Sequence, residues 1–538
     1  MDEVDDILDQ NPAVEEDDID DEEEEDDEDE DELNDIQGNN NDDDDDDDND
    51  DDKSDDGEED VEEDQDEEND NDDDERSDVD MDKNNSEDST TGTSSLDKIH
   101  NYYKHILQSA KLASKYSIYP TAAIPIQTHV NALAVSKGLK YLFLGGSDGY
   151  IRKYDLLNTI YGKLSLTILQ KHSLTESIQN AGILLSYWEN EIPMRLSELK
   201  VTNNEYEPNV SPVHSIEVHN ECLFLLSGLQ NGGIALQGVR YMEGCIGHYF
   251  KRHNQVVNIL RLNNNQDKFL SGSWDRQIIE WDLNKMGSIV NEFKGANSEL
   301  SSLELRPLDH TVDIPTKPTD EDADELDSLF GDDDEEEDDD ANETNKERNN
   351  NEKEESPTRD EVSKETLNVV YDESIFMTSG LNGAINVWDR RNNTAPVLNL
   401  LKGQSTPPWC FSACWSANGD YIYAGRRNAC VEEFDLKMPS SPKSTLKLPS
   451  ISGSVSCVKS LPNGNHLLIA SKDNIRLYDT SIASSSKIPF TIVPGHHGGV
   501  ISNLYVDPTC RFLISTSGDR GWQGTSTDTT LIYEIDLE

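Results

Sequence analysis

Positive charge is scarce in this sequence: 44 Lys and Arg stand against 113 Asp and Glu, a formal net charge of −69 over 538 residues. A chain so short of cations releases few counterions from a phosphate backbone, which argues against DNA binding through a basic surface. Long apolar runs are missing as well. None approaches the ~20 residues that span a bilayer, and the acidic start holds no apolar segment of the kind that directs secretion. Cysteine is sparse, at positions 222, 245, 410, 414, 430, 457 and 510. An odd number without a Cys-x-x-Cys pair argues against a disulfide framework and for a reducing compartment. Cys410 and Cys414, four apart in a strand-like run, are expected to be small buried residues rather than metal ligands. Signatures of catalysis are lacking too. There is no Gly-rich phosphate loop, no His-Glu-x-x-His and no Gly-x-Ser-x-Gly elbow, so neither an enzyme nor a cofactor is expected.

The charge that is present is unevenly spread. Residues 1–100 hold 55 acidic and 4 basic side chains, and residues 319–360 hold 21 and 4, leaving the remainder near −1. Segments so acidic and so poor in apolar groups cannot offset an ordering cost of ~1–2 kcal/mol per residue. A disordered acidic arm is therefore expected over 1–95, and a disordered acidic insertion over 307–366. Each carries one apolar triplet at i, i+3, i+4 spacing: Val4, Ile7 and Leu8 in the arm, Leu326, Leu329 and Phe330 in the insertion. That spacing puts three apolar groups on one face of a helical turn. Alone the turn is too short to persist, but it can fold against a hydrophobic groove. These six are candidate partner-binding residues.

From Leu96 the character changes. Leu96, Ile99, Tyr103, Ile106, Leu107, Ala110 and Ala113 follow helical spacing, with Ser94 and Asp97 resembling a capping box and Pro120 as the stop. An amphipathic helix is expected over 96–117, either docked on the body or inserted into a larger assembly.

A repeat follows, clearest from Gly272 to Asp282: Gly-Ser-Trp-Asp-Arg-Gln-Ile-Ile-Glu-Trp-Asp. A strand exit through small residues, a tight turn at Asp275 and a second strand closed by Trp281-Asp282 form the strand b, turn, strand c signature of a WD40 blade. Copies end at Asp155, Gln237, Asp389, Asp435, Asp479 and Asp536, which makes seven. Setting aside 156–210 and 307–366 as insertions leaves 302 of the residues 122–538, about 43 per blade and within the ~40–45 of such repeats. The fold expected is all-β: a seven-bladed WD40 β-propeller over 118–538. The run Ala122–Gln127 precedes the first strand a and is expected to supply the outer strand of the last blade, fastening the two ends of the ring. The 156–210 insertion is expected to be partly helical, with Ser173 and Glu176 capping a helix through Leu174, Ile178, Ala181, Leu185 and Trp188.

Polar residues that resemble catalytic groups fall at repeat positions. Gly495-His496 stands where a WD repeat carries its Gly-His pair, and the histidine is expected to bond within its blade towards Asp519. Asp148, Asp275, Asp473 and Asp519 occupy b–c turns. In the fifth blade Arg426-Arg427 replaces the usual turn residues. Two guanidiniums at an exposed turn suit an acidic partner or the chain's own acidic arm.

Several runs are more specific than a generic propeller: Tyr119–Val135, Ser227–Gly233, Leu448–Gly453, Pro494–Gly499, Trp522–Tyr533 and the opening Met1–Leu8. With them the chain resembles the WD40 subunit family of the fungal SAGA transcriptional coactivator, the suppressor-of-Ty protein eight family, over essentially the whole folded body. The resemblance implies a nuclear, non-enzymatic scaffold. Such a subunit would contact other SAGA subunits and the TATA-binding protein, and would regulate delivery of that protein to promoters for RNA polymerase II. It implies no sequence-specific DNA binding and no membrane, and it brings no contact motif that can be carried over residue by residue. A histone-binding or histone-chaperone propeller is the alternative, because acidic tails also neutralise histones. A ubiquitin-ligase receptor is a third, without an F-box-like segment to support it.

Overall fold

The computed structural model describes residues 95–314 and 370–538, except 168–177, 196, 198–200, 203–204, 473, 483–487, 497–498 and 519–528. Seven antiparallel sheets ring a central axis. Blade 3 shows the unit: strand a, Val257–Leu262, is innermost, followed by b, Lys268–Ser273, c, Ile278–Asp282, and d, Ser288–Phe293. Each strand a lies beside the next around the axis, and the first, Val130–Val135, adjoins the last, Ile501–Val506, so the ring closes.

Each blade is sandwiched between two others, so its middle strands must be apolar on both faces rather than alternating. All five residues of Ile278–Asp282 are buried, as are all six of His466–Ser471. A separate apolar cluster fills the space between each pair of adjoining blades. Phe269 and Trp281, for example, stack 5.9 Å apart between blades 2 and 3, beside Leu226, Ile234 and Phe250.

Antiparallel order also gives the disc two unlike faces. Every a–b and c–d connection lies at one end of the strands, the a–b face. Every b–c turn and d–a loop lies at the other, the b–c face.

The seam is built as the sequence led us to expect, with one shift. The outer strand of blade 7, Tyr116–Pro125, pairs antiparallel with Thr529–Leu537, from Tyr116↔Leu537 to Pro125↔Thr529. Helix α1 (Ser95–Leu112) consequently ends earlier than 117, because the seam claims the residues that follow. The Ser114 and Lys115 amides donate to the Glu538 carbonyl. Pro120 lies inside the strand at a register shift instead of stopping the helix. The end of α1 meets the body: Ala110 is buried and its carbonyl accepts from Tyr116 Oη at 2.8 Å, while Tyr102 is 65 % exposed.

The 156–210 insertion corrects the expected helix. Ile183–Glu189 is strand d of blade 1, paired with Tyr150–Asp155, and Trp188 Nε1 donates to Gln237 Oε1 of blade 2 at 2.8 Å. The helix that does form, α2, is Leu156–Ile160, capped by Asp155. Ser173, Leu174 and Glu176 lie outside the described residues. Asn180–Ala181 then adds a fifth, parallel strand to blade 7 beside Ala122 and Ala123, and Leu166 and Ile178 pack into the cluster between blades 6 and 7. The seam is thus fastened from both sides.

Candidate interaction surfaces

The residues that look most like an active site belong to the frame. In blade 3, Trp281 Nε1 donates to Ser271 Oγ at 2.8 Å, and Ser271 Oγ lies 2.8 Å from His253 Nε2. His253 Nδ1 is 3.0 Å from Asp275 Oδ2. A carboxylate only accepts, so Nδ1 donates to it, and one relay ties strand c to the b–c turn. Burial works to raise the Asp275 carboxyl. Hydrogen bonds from His253 and the Asn254 and Gln277 amides outweigh it and hold the group below its usual range. Three of the four side chains are deeply buried, with no room for a substrate. In blade 7, His496 is also buried and its Nε2 lies 2.6 Å from Ser515 Oγ; the Asp519 expected beside it is outside the described residues. His253 was legible in Arg252-His253-Asn254, which stands before strand a of its blade as Gly495-His496 does, but without the glycine.

The paired arginines of blade 5 part company. Arg426 is not at an exposed turn: it is 0 % exposed and its guanidinium meets the equally buried Glu432 at 2.8 Å. Its Nη1 donates to the Gly383 carbonyl at 2.6 Å, and Glu432 accepts further bonds from Thr406 Oγ1 and the Gly403 amide. The strand ladder explains the inversion. Ala424 is opposite Glu432 and Arg426 opposite Cys430, so Arg426 and Glu432 are diagonal neighbours on one side of the hairpin. Arg427 alone faces solvent, its guanidinium 4.4 Å from the centre of the Trp409 ring.

Val4, Ile7, Leu8, Leu326, Leu329 and Phe330 lie outside the described residues. What is described is where their segments join the body. The chain leaves at Ile314 and returns at Val370, between strands a (Leu300–Pro307) and b (Tyr371–Gly380) of blade 4, which is the a–b face. Asp420 fixes the departing segment by accepting from the Thr311 and Val312 amides. Lys111 of α1 pairs with Asp309 on the same segment at 2.5 Å. Asn463, in the a–b turn of blade 6, donates to the Ala113 carbonyl at 3.1 Å. The end of α1 and the root of the insertion therefore share one face. Among the described residues no group of three His, Cys, Asp or Glu could hold a metal, Cys410 and Cys414 are buried free thiols, and no helix is long and apolar enough to cross a membrane.

Seven blades, a strap from the N-terminal side and a histidine–serine–tryptophan relay buried in blade 3 define a WD-repeat β-propeller whose polar signature serves its own architecture. The chain belongs to the SPT8 β-propeller family, whose model matches residues 116–536. It is 63 % identical to "SAGA complex subunit SPT8" of Saccharomyces cerevisiae, over 84 % of this chain and 78 % of the relative. It is 39 % identical to "SAGA complex subunit Spt8" of Schizosaccharomyces pombe, over 81 % and 82 %. A shorter match, 27 % over 129 residues, joins it to "Pre-mRNA-processing factor 19" of Dictyostelium discoideum.

Proposed function

We propose that this chain is a non-enzymatic scaffold subunit of a nuclear SAGA coactivator, that it binds the TATA-binding protein, and that it regulates recruitment of that protein to promoters. Membership of SAGA rests on the two relatives that bear the name and on the share of both chains they cover. The observation that carries the mechanism is the common root of the acidic insertion and the helix that bears the acidic arm on the a–b face. The TATA-binding protein presents a DNA-contacting surface shaped for the minor groove. Acidic segments netting about −51 and −17 compete electrostatically for such a basic surface, and the propeller keeps their local concentration high. The triplets Val4, Ile7, Leu8 and Leu326, Leu329, Phe330 add short apolar anchors. Binding of the purified TATA-binding protein to full chain, to chain lacking 1–94 and to chain lacking 315–361, across a salt series, tests the proposal. Affinity falling steeply with salt and with each deletion supports it. Undiminished binding after both deletions moves the contact elsewhere, and preferential capture of free histones in the same assay favours the histone reading.

A further inference from the structure

The b–c face carries a different device, between blades 4 and 5. The d–a loop that precedes strand a of blade 5 ends in Pro407-Pro408-Trp409, and Trp409 sits at φ +93°. A bulky side chain there is strained, and such strain persists only where the surroundings impose it, most often at ligand sites. The imposition is visible. Two prolines stiffen the approach, and the Trp409 ring meets Phe411 edge-on at 5.6 Å. Gly383 in the facing b–c turn sits at φ +89°, and a Cβ there would lie a tight 3.2 Å from the Arg426 and Lys402 side chains.

The result is a cleft of about 380 Å³ walled by Trp409, Phe411, Leu381 and Pro408, with Ser298, Glu299 and Asn382 supplying polar edges. Its walls are fixed: the Asn382 amide donates to Ser298 Oγ at 3.0 Å, and the Leu381 amide to the Glu299 carbonyl at 2.9 Å. Charge at its mouth is unbalanced. Glu299, the one acid in the lining, is bridged to Arg276 at 3.0 Å. Arg427 lies over the Trp409 ring and has no carboxylate partner among the described residues. Lys402, on the same loop as Trp409, spends its ammonium on the Thr406 carbonyl at 2.6 Å, again not on an acid. A guanidinium held flat on an indole loses little freedom when it takes a carboxylate in its fork.

We propose that this cleft is a docking site for an acidic linear peptide of a partner protein, one that places a carboxylate on Arg427 and an aromatic or large aliphatic side chain against Trp409, Phe411 and Leu381. The site lies on the opposite face from the points where the acidic segments join the body, and it stands independently of what they bind.

The test uses full-length protein and a fluorescein-labelled probe peptide of repeating order Asp-Asp-Phe-Asp-Asp-Leu, read by anisotropy at about 0.15 M salt, where charges beyond ~8 Å are largely screened. Saturable binding is expected, weakened at least tenfold by Arg427→Glu and by Trp409→Ala, and weakened comparably when Ala replaces Phe and Leu in the probe. Arg427→Lys, which keeps the charge and loses the fork, should give an intermediate loss. Melting temperature monitors folding of each variant. Binding that ignores Arg427→Glu, or no binding at all, overturns the proposal. Binding that emerges only when 315–361 is excised also overturns the partner assignment, and gives the cleft to the chain's own acidic insertion instead.

Discussion

The two faces of this propeller are made of the same strands and have little else in common. On the b–c face the b–c turns of blades 1 to 4 are short and held by their own side chains. Asp148, Asn231, Asp275 and Asn382 each accept a bond from the backbone amide two residues on, at 3.2, 2.9, 3.0 and 3.0 Å. This Asx geometry closes a tight turn without relying on the rest of the blade. The a–b face carries α1, the first part of the blade 1 insertion and the root of the acidic loop, whereas the second part of that insertion, 190–214, joins strand d to the next strand a on the b–c face. Repetition in the short turns leaves these longer connections free to vary. Blade 5 is where the regular face itself departs from pattern, and Arg427 and Trp409 lie there.

The largest expected effect belongs to the seam that both faces share. Deleting 116–125 removes the partner of Thr529–Leu537 and the support for Asn180–Ala181. It should lower the melting temperature by more than ~10 °C or abolish cooperative melting in calorimetry. Unchanged melting would mean that the ring is closed some other way. Next come the adjacent arginines. Arg426→Ala strands the buried Glu432 and should cost about 3–5 kcal/mol in urea unfolding, whereas Arg427→Ala should stay within ~0.5 kcal/mol. Equal losses would erase the distinction between an internal brace and a surface group.

Excising 1–94 and 315–361 together should leave the melting transition in place. It should weaken binding to the TATA-binding protein at least tenfold at low salt and flatten its salt dependence. The smallest effect concerns the relay of blade 3. The Asp275 carboxyl is depressed in the fold, so its contribution is complete above the ordinary carboxylate range near ~4 and fades as pH falls through the lower folded value. Asp275→Asn should therefore cost about 1–2 kcal/mol at neutral pH, and that deficit should shrink in urea titrations near pH 3. A deficit independent of pH would mean that only shape is at stake.

Most of the frame could be read from the chain because repeat chemistry is local: a turn of Ser, Asp and Gly followed by alternating apolar residues and Trp-Asp needs no distant partner. The errors fall where distant partners decide. Ile178, Ala181, Leu185 and Trp188 fit a helical period, yet the exposed edge of Tyr150–Asp155 claims Ile183–Glu189 as a strand, and pairing overrides spacing. Arg426 reads as a surface charge until Glu432 is set diagonally across the hairpin. That acid was the available signal, a carboxyl between Cys430 and Phe434 on one side of strand c, and Glu280 in blade 3 is held in the same way by Arg390. Trp409 follows no period, since its significance lies in a backbone angle and in groups from three separate connections.

One consequence of the seam concerns how the molecule is made. Tyr116–Pro125 leaves the ribosome ahead of all seven inner strands, and Thr529–Leu537 leaves after them. At ~10 residues per second the wait for its partner is on the order of forty seconds. For that time the strand is an open edge, the kind that pairs with whatever strand is near. Pro120 and Pro125 remove two of its donors, and Tyr119 faces solvent in the finished ring. The prolines that blunt a finished outer strand also guard it against premature partners while the chain is still being synthesised.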